Sequence, residues 1–398
     1  MSRQIQDAYI VAATRTPVGK RKGAFIHTRP DDLLAHVLGR VVAQVPQLDP
    51  ARIGDVVVGC AMPEAEQGMN VARIGTLLAG LPPSVPALTV NRFCASGLQA
   101  VADAAARIRL GEADVMIAAG VESMTVMSNM MGNKVTLNPA ALEQPETIAI
   151  AYGMGLTAEK VAERWQVSRA DQDAMAVESH RRAVAAIQGG LFRAEISPVS
   201  VRTHRPGADG TLRISEQLVE HDEGARADVT AASLAKLKPV FAAGGSVTAG
   251  NASQMSDGAA AVLLVSERVL REENLTPLAR FVGYAVAGVA PEVMGIGPVV
   301  AIPKVLAHCG LTQEQLDWIE LNEAFAAQAL AVQRELGLDP TRINPLGGAI
   351  ALGHPLGATG AIRTATLVHG LQRTQGRYGM VSMCIGTGMG AAGVFERV

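Results

Sequence analysis

The chain has 398 residues, too many for one ordinary core, and its 48% hydrophobic and 18% charged residues are typical of a globular protein with two or three domains. A net charge of −2 and the lack of a long basic run argue against nucleic acid as the main partner. The four widely spaced cysteines argue against a metal site or a disulfide framework, and the lack of a signal pattern and of a roughly 20-residue apolar run predicts a cytoplasmic protein with no membrane span.

Apolar strands alternate with helical patterns through the first part of the chain. The strands are predicted at 8–14, 55–59, 86–90 and 114–119, and the helices between them at 31–43, 70–78 and 96–110. This alternation is typical of an α/β fold with buried sheets.

The character of the sequence changes between 122 and 245. This stretch is first rich in methionine and then polar and charged, with predicted helices at 156–165 and 169–188. Regular α/β patterning resumes at 246–253 and 258–265. We therefore predict an N-terminal half at 1–121 that is completed by 246–272, an inserted loop domain at 122–245, and a C-terminal half at 273–398.

The last third of the chain repeats the order of the first. The segment 316–321 is similar to 53–58, and each leads to a turn, then an alanine-rich helix, then a strand. The repeated helices are predicted at 98–110 and 358–371, and the repeated strands at 114–119 and 379–383. The repeat predicts two similar α/β halves. If the halves face each other, Cys94 and His354 come together.

Cys94 follows a predicted strand and precedes a predicted helix, in Asn91-Arg-Phe-Cys94-Ala-Ser-Gly97. A thiol at a helix N-terminus faces unpaired backbone N–H groups and the positive end of the helix dipole, and both favour the thiolate. We therefore interpret Cys94 as a nucleophile. The alternative is an inert core cysteine, since free cysteine often behaves as a small buried hydrophobe.

Two further reactive groups lie in glycine-rich turns. His354 is surrounded by Gly347, Gly348, Gly353, Gly357 and Gly360, and a histidine near a thiol is the general base that makes a thiolate. Cys384 ends an apolar run before Gly386, Gly388 and Gly390, where a thiol could donate or accept a proton. The alternatives are a surface histidine and a core cysteine.

Two other groups suit the same chemistry. The backbone N–H of Gly386 could bind an oxyanion together with the N–H of Cys94. Asn322 opens Asn322-Glu-Ala-Phe325 after an apolar run. Its side chain could cap the following helix, or it could hold a water beside His354 and stabilise an enolate.

Together, these segments resemble the thiolases. The resemblance rests on Asn91 to Gly97, Asn322 to Phe325, Gly347-Gly-Ala-Ile-Ala-Leu-Gly-His354-Pro and Cys384-Ile-Gly386-Thr-Gly, in the family's order and spacing. It implies the thiolase fold: two pseudo-duplicated halves in a five-layered αβαβα core, with an inserted loop domain that holds coenzyme A.

The resemblance also implies a role for each group. Cys94 becomes the acyl-accepting nucleophile, His354 its activator, and Cys384 the proton donor to, or acceptor from, the acetyl methyl carbon. Asn322 holds a water in a first oxyanion hole with His354, and the N–H groups of Cys94 and Gly386 form a second. Coenzyme A is a substrate, and no cofactor or metal is implied.

The loop region supplies weaker matches. The run Val247-Thr-Ala-Gly-Asn-Ala-Ser253 places Ser253 against the pantetheine. Other residues fall where the family surrounds the nucleotide, the pantetheine arm or the acyl group: Arg226, Ser233, Leu237, Phe241, Phe325 and Met154. Met154 belongs to a set of methionines that either fill the core or line an adaptable apolar pocket, with Met124, Met127, Met130 and Met131.

The implied reaction is thiolytic cleavage of a 3-ketoacyl-CoA by coenzyme A through an acyl-cysteine. The biosynthetic branch typically has Tyr-His-Met-Gly in the loop domain, whereas this chain has Tyr152-Gly153-Met154-Gly155. That difference favours the degradative 3-ketoacyl-CoA thiolases of fatty acid β-oxidation. The alternatives are a biosynthetic acetyl-CoA C-acetyltransferase, a condensing synthase of the same fold, and a non-catalytic thiolase-like lipid-binding protein.

The condensing synthases do not place a second catalytic cysteine at the position of Cys384, which argues against them. A non-catalytic relative could lack Cys94, His354 or Cys384, and this chain has all three. The resemblance further implies a homodimer or homotetramer, or a complex with a hydratase–dehydrogenase partner subunit.

Overall fold

The computed structural model describes residues 5–129, 137–207 and 209–398. The strands are β1 (Ala8–Arg15), β2 (Gly19–Lys20), β3 (Asp55–Gly59), β4 (Ala87–Val90), β5 (Val115–Ser123), β6 (Val199–Pro206), β7 (Leu212–Val219), β8 (Ser256–Ser266), β9 (Ala279–Gly288), β10 (Leu316–Leu321), β11 (Tyr378–Ile385) and β12 (Met389–Glu396). The helices are α1 (Pro30–Ala43), α2 (Val71–Leu78), α3 (Ser96–Arg109), α4 (Met124–Asn129), α5 (Ala140–Glu143), α6 (Met154–Arg164), α7 (Arg169–Gln188), α8 (Ala231–Leu234), α9 (Glu267–Glu272), α10 (Gly297–Cys309), α11 (Ala326–Leu336), α12 (Ala349–Leu352) and α13 (Leu356–Thr374).

The predicted duplication is visible in the strand order. In the first half β3 and β5 are parallel, β5 and β8 are antiparallel, and β8 and β1 are antiparallel. In the second half β10 and β11, β11 and β12, and β12 and β9 repeat these relations in the same order. The two half-sheets meet only where Tyr9 pairs with Arg280 and Ile10 with Ala279, which joins them within the described chain into one ten-stranded sheet.

Helices cover both half-sheets in five layers. Helices α1 and α2 pack on the outer face of the first half-sheet, α3 and α13 lie between the two half-sheets, and α10 covers the outer face of the second. A separate apolar cluster fills each interface, with the largest around α3 and α13 in the middle. This arrangement confirms the predicted αβαβα core.

The two middle helices touch backbone to backbone. A Cβ built on Gly97 of α3 would lie 2.7 Å from the amide nitrogen of Ala361 in α13. A Cβ on Gly360 of α13 would overlap the amide nitrogen of Leu98 in α3. Glycine at these positions therefore allows an approach that no other residue permits.

The segment between β5 and β8 contains α4 to α8 and the hairpin of β6 and β7. Strand β5 continues past the predicted boundary at 121, because Glu122 pairs with Gly258 and Ser123 with Asp257. The predicted helix at 169–188 has the bounds of α7, whereas the helix predicted at 156–165 begins two residues earlier. The division into an inserted domain and two halves stays a prediction.

The buried guanidinium of Arg15 ties this segment to β1. Its Nε donates to Glu195 at 2.6 Å and its Nη1 donates to Asp222 at 2.7 Å, and all three side chains are almost fully buried. Removing one partner of such a pair leaves an uncompensated buried charge, which is strongly destabilising.

One stretch among the described residues, Pro291–Cys309, is long and apolar enough to cross a membrane by length and composition. Half of it is buried, and its helical part, α10, packs on β9 and β12. The core helix of a globular fold has the same properties.

We expect Gly360→Ala to lower the midpoint of thermal unfolding, because its methyl group would push α13 away from α3 at a cost of about 1–3 kcal/mol. Gly39→Ala in α1 is the matched control, since its nearest neighbour, the Ala79 carbonyl oxygen, would be 4.0 Å from the new Cβ. That control should gain about 0.5–1 kcal/mol from helix propensity. Equal midpoints for the two variants would contradict the close-approach account.

Candidate active site

Cys94 lies in a tight turn at the start of α3. The 3-10 turn Phe93–Ala95 leads directly into the helix, and Phe93 has a positive φ of 43°. Asn91 Oδ1 accepts from the Phe93 N–H at 2.8 Å, and the Ser96 hydroxyl accepts from the Arg92 N–H at 2.8 Å. These side chains hold a backbone conformation that a bulky residue rarely adopts.

The thiol of Cys94 faces the turn that contains Gly386. Removal of the half-buried thiol from water raises its pKa to about 11, although the backbone N–H groups of Gly386 and of Cys94 itself act to lower it. Burial therefore outweighs the helix-start position that favours the thiolate, and the interpretation of Cys94 as a nucleophile stays a prediction. Both N–H groups act on Sγ, and the oxyanion site that they would form stays a prediction.

Cys384 lies near Cys94 at the end of β11 and is fully buried. Burial raises the pKa of its thiol, and the neighbouring Cys94 raises it further. Cys384 packs in an apolar cluster that also contains Val247, Ala252 and Phe325. Its side chain therefore keeps its proton in the resting protein.

His354 precedes α13 and is 4% exposed. Burial and the positive charge of Arg363 lower the pKa of the imidazole to about 3, so the ring is neutral at physiological pH. Its Nδ1 lies 2.6 Å from the hydroxyl of Thr359, and its Nε2 lies 3.3 Å from Nδ2 of Asn322. Helix α13 packs against the turn that holds Cys94.

Asn322 contacts His354 and does not cap a helix. Helix α11 begins at Ala326, and Phe325 occupies its N-cap position. The Asn322 Oδ1 is buried and makes no hydrogen bond within the described residues. Because buried polar atoms are normally paired, this oxygen is available to a water or a ligand donor. Its backbone N–H donates to Ser382 on β11, which places it next to the strand of Cys384.

Each reactive side chain is adjacent to an uncommon backbone conformation. Positive φ values occur at Phe93 before Cys94, at Gly353 before His354, and at Thr387 in the turn after Cys384. Such conformations persist only where the surrounding structure enforces them, and they cluster at functional sites.

Two buried carboxylates that the sequence analysis missed hold these turns. Glu323 accepts hydrogen bonds from Ser179, Asn344 and the Ile350 N–H, and so fixes the glycine-rich segment before His354. Glu122 accepts from the Gly357 N–H at the start of α13, and burial raises its pKa to about 7. The position of Glu323 beside Asn322 in the chain was the one local signal for its role.

Only some of the residues predicted to bind coenzyme A line the same groove. Arg226 and Leu237 line a groove of about 320 Å³ whose wall also includes Lys20 and His180. Ser233 and Ser253 are not among the residues that line this groove. Ser233 takes part in a capping box at the start of α8, and the Ser253 N–H donates to the Ala324 carbonyl at 3.0 Å.

The apolar members of the set lie nearer the cysteines. Phe241 packs edge-on against Phe325 with 6.2 Å between ring centres. Met154 Sδ would be 3.6 Å from a Cβ built on Gly386. Met130 and Met131 lie outside the described residues, and no three His, Cys, Asp or Glu side chains in the described part of the chain are grouped as metal ligands would be.

Comparison with known families matches almost the whole chain. The model of the thiolase N-terminal domain matches residues 8–268, and the model of the thiolase C-terminal domain matches residues 275–397. The chain belongs to the thiolase family.

Individual thiolases are similar along their full length. The chain is 49% identical to a Bacillus subtilis 3-ketoacyl-CoA thiolase over 393 residues, covering 98% of this chain and 100% of that protein. It is 48% identical to the mouse peroxisomal 3-ketoacyl-CoA thiolase B, covering 98% of this chain and 91% of that protein.

Solved thiolase structures superpose closely. The dimeric peroxisomal thiolase of Saccharomyces cerevisiae gives a TM-score of 0.90 at 42% identity, covering 99% of this chain and 98% of that one. The Bacillus anthracis acetyl-CoA acetyltransferase gives 0.89 at 39% identity and covers both chains completely.

We expect the rate of Cys94 alkylation by iodoacetamide to rise about tenfold per pH unit between pH 7 and 10, because only the thiolate reacts and its fraction grows tenfold per unit below the pKa. Mass spectrometry of the Cys94 peptide measures the rate, with a small-molecule thiol in the same buffers as the reference. A plateau below about pH 9 would mean that the thiolate forms far more easily than desolvation allows.

Proposed function

We propose that this thiolase is a 3-ketoacyl-CoA thiolase, an acetyl-CoA C-acyltransferase that cleaves 3-ketoacyl-CoA with coenzyme A. The products are acetyl-CoA and an acyl-CoA shortened by two carbons. The observation that carries the proposal is the convergence of the Cys94 and Gly386 N–H groups on the Cys94 thiol, with the Cys384 thiol beside it. A nucleophile and a proton donor within one oxyanion site is what carbon–carbon cleavage through a thioester requires.

The first half-reaction uses three protein groups. Cys94 Sγ attacks the C3 carbonyl carbon of the substrate while its proton passes to Nε2 of His354. The C2–C3 bond then breaks, leaving the acyl group on Cys94 and the two-carbon fragment as the enolate of acetyl-CoA. Cys384 donates its proton to the enolate carbon and becomes a thiolate.

The second half-reaction restores the protein. The thiol of a second coenzyme A gives its proton to Cys384 and attacks the acyl group on Cys94. The proton held by His354 returns to Cys94 Sγ as the acyl-CoA leaves. Cys94, His354 and Cys384 therefore end the second half-reaction in the protonation states in which they began the first.

The resting protonation states suit this sequence. With a Cys94 pKa of about 11 and a His354 pKa of about 3, the stable pair is the neutral thiol and neutral imidazole. Proton transfer then accompanies attack on a bound carbonyl, where the N–H groups stabilise the growing negative charge. The raised pKa of Cys384 keeps a proton ready for carbon.

Two substrate oxygens become negatively charged in the cycle: the oxygen on C3, which becomes the acyl oxygen on Cys94, and the thioester oxygen of the acetyl-CoA enolate. We assign one to the N–H groups of Cys94 and Gly386. The other, on the enolate of acetyl-CoA, is assigned to His354 and to a water held by the unpaired Oδ1 of Asn322. The groove that contains Arg226 and Leu237 is assigned to coenzyme A, because its open wall carries both cationic and apolar side chains.

The acyl chain is assigned to the surface around the start of α6. Met154, Leu156 and Phe241 are each at least about a third exposed there despite being apolar, and such exposed patches mark ligand sites. A Cβ built on Gly153 would have no neighbour within 4 Å, which leaves room for a long chain. The alternative, an acetyl-CoA acetyltransferase, is kept because the structure of that name from Bacillus anthracis superposes over the full length.

Assembly and location are proposed on the relatives alone. The yeast structure is described as dimeric, which supports a homodimer, with a homotetramer as the larger alternative. The name of the mouse relative gives a peroxisomal location, and the name of the Bacillus subtilis relative gives none, so a cytoplasmic location stays a prediction. A hydratase–dehydrogenase partner subunit also stays a prediction.

We expect Cys384→Ala to accept an acetyl group on Cys94 from acetyl-CoA but to lose exchange of the acetyl-CoA methyl protons with deuterated water. The carbon-bound proton moves only through Cys384, whereas acetyl transfer takes place on Cys94 with His354 as its base, and the coenzyme A thiolate that leaves can take its proton from water when Cys384 is absent. Mass spectrometry of the Cys94 peptide and proton NMR of acetyl-CoA measure the two steps. Cys94→Ala is the matched control and should take no acetyl group. An acetylated Cys94→Ala protein, or normal exchange in Cys384→Ala, would overturn these roles.

We expect Gly153→His to lower kcat/KM for long 3-ketoacyl-CoA more than for acetoacetyl-CoA, because an imidazole would occupy the open space beside the chain. Each buried methylene contributes up to ~0.8 kcal/mol, so losing two or three contacts costs about tenfold or more on the long substrate. Gly153→Ala is the control and should keep the wild-type ratio. A wild-type enzyme that cleaves only acetoacetyl-CoA would favour the acetyltransferase alternative.

A further inference from the structure

The hydroxyl of Thr359 contacts the ring nitrogen of His354 that faces away from Asn322. Thr359 lies in the first turn of α13 and is 1% exposed. Its Oγ1 is 2.6 Å from Nδ1 of His354 and 3.0 Å from the carbonyl oxygen of Pro355. The imidazole is therefore held between a hydroxyl on one side and an amide on the other.

The hydrogen-bonding pattern selects one neutral form of the imidazole. The carbonyl of Pro355 can only accept, so the single hydroxyl proton of Thr359 is directed to it. The same oxygen then accepts from an N–H at Nδ1, which leaves Nε2 unprotonated and able to accept a proton. On the opposite side, Nδ2 of Asn322 donates to Nε2 at 3.3 Å.

The opposite tautomer fits less well. An N–H at Nε2 would point at the N–H groups of Asn322. Turning that amide over would leave its NH2 group buried in place of Oδ1, and unpaired buried N–H groups are rarer than under-satisfied oxygens. The arrangement with the proton on Nδ1 avoids both problems.

We propose that Thr359 is a positioning residue that holds His354 as the Nδ1–H tautomer, so that Nε2 is the atom that takes the proton from Cys94. The inference rests on the proposed function for its catalytic meaning. In the reaction, the Cys94 S–H bond breaks, the proton joins Nε2, and Nδ1–H keeps its bond to Thr359 throughout. The hydroxyl oxygen also stabilises the ring while it carries the extra proton, because hydrogen bonds to charged groups are the stronger ones.

Thr364, one turn further along α13, provides a matched control. It is fully buried, and its Oγ1 donates to the carbonyl of Gly360 at 2.8 Å, four residues earlier. Thr359 donates to Pro355 with the same spacing. Valine at either position therefore removes the same kind of helix bond, and only Thr359→Val also removes the contact with His354.

The kinetic test compares Thr359→Val, Thr359→Ser and Thr364→Val in thiolysis of 3-ketoacyl-CoA. Thr359→Val should lower kcat by about 10–100-fold, by analogy with the loss when the hydrogen-bond partner of a metal-bound histidine is removed, with little change in KM for coenzyme A. Thr359→Ser should restore kcat, and Thr364→Val should match wild type despite a similar fall in thermal midpoint. Equal kcat for the two valine variants, or no rescue by serine, would overturn the inference.

A second readout does not depend on activity. Solid-state NMR of protein labelled with 15N at the histidine rings distinguishes Nδ1–H from Nε2–H, with the His354 signal assigned by its loss in His354→Asn. The unmodified protein should show Nδ1–H, and this measurement can be made even if Thr359→Val fails to fold. An Nε2–H form in the unmodified protein would contradict the proposal. If the protein shows Nδ1–H but does not cleave 3-ketoacyl-CoA, the proposed function fails while the tautomer assignment holds.

Discussion

The contact between the backbones of α3 and α13 is the constraint on which the rest of the molecule depends. Glycines at 97 and 360 let the two helices approach until a side-chain carbon would not fit between them. Because Cys94 precedes one helix and His354 precedes the other, this approach also places the two catalytic turns against each other. The duplicated halves therefore share one core and one site.

Burial determines the chemistry of that site more than local charge does. Desolvation raises the pKa of Cys94 and Cys384 and lowers that of His354, so every reactive group rests in its neutral form. In the proposed reaction, charge develops only after substrate is bound, at the substrate oxygens, on the protonated His354 and on the Cys384 thiolate. A site of this kind stabilises the transition state without first stabilising a reactive anion in the free enzyme.

Sequence periodicity located the strands and helices of the first half and helix α7, but it did not predict the hairpin of β6 and β7, strands β9 and β12 or helix α10. The predicted bounds of α7 and β3 are those of the structure, because Ser168 caps the helix and the strand is centred on three consecutive valines. The reactive side chains were also found, since each lies beside glycines in a distinctive turn. The raised pKa of Cys94 could not be predicted in this way, because it comes from burial in the folded protein, which the local helix-start position does not reveal. The role of Asn322 was open for the same reason and is decided by its contact with His354.

The short pairing between β1 and β9 has a consequence for the exposed edges of the duplicated architecture. A half-sheet alone would end in an unpaired strand, and such edges recruit other chains and promote aggregation. Here β9 covers one end of β1, and the segment around Glu195 to Ser197 covers the other by bonding to Arg15. The pairing of the two half-sheets thus covers part of an edge that each would expose alone, and removal of either half would expose that edge in the other.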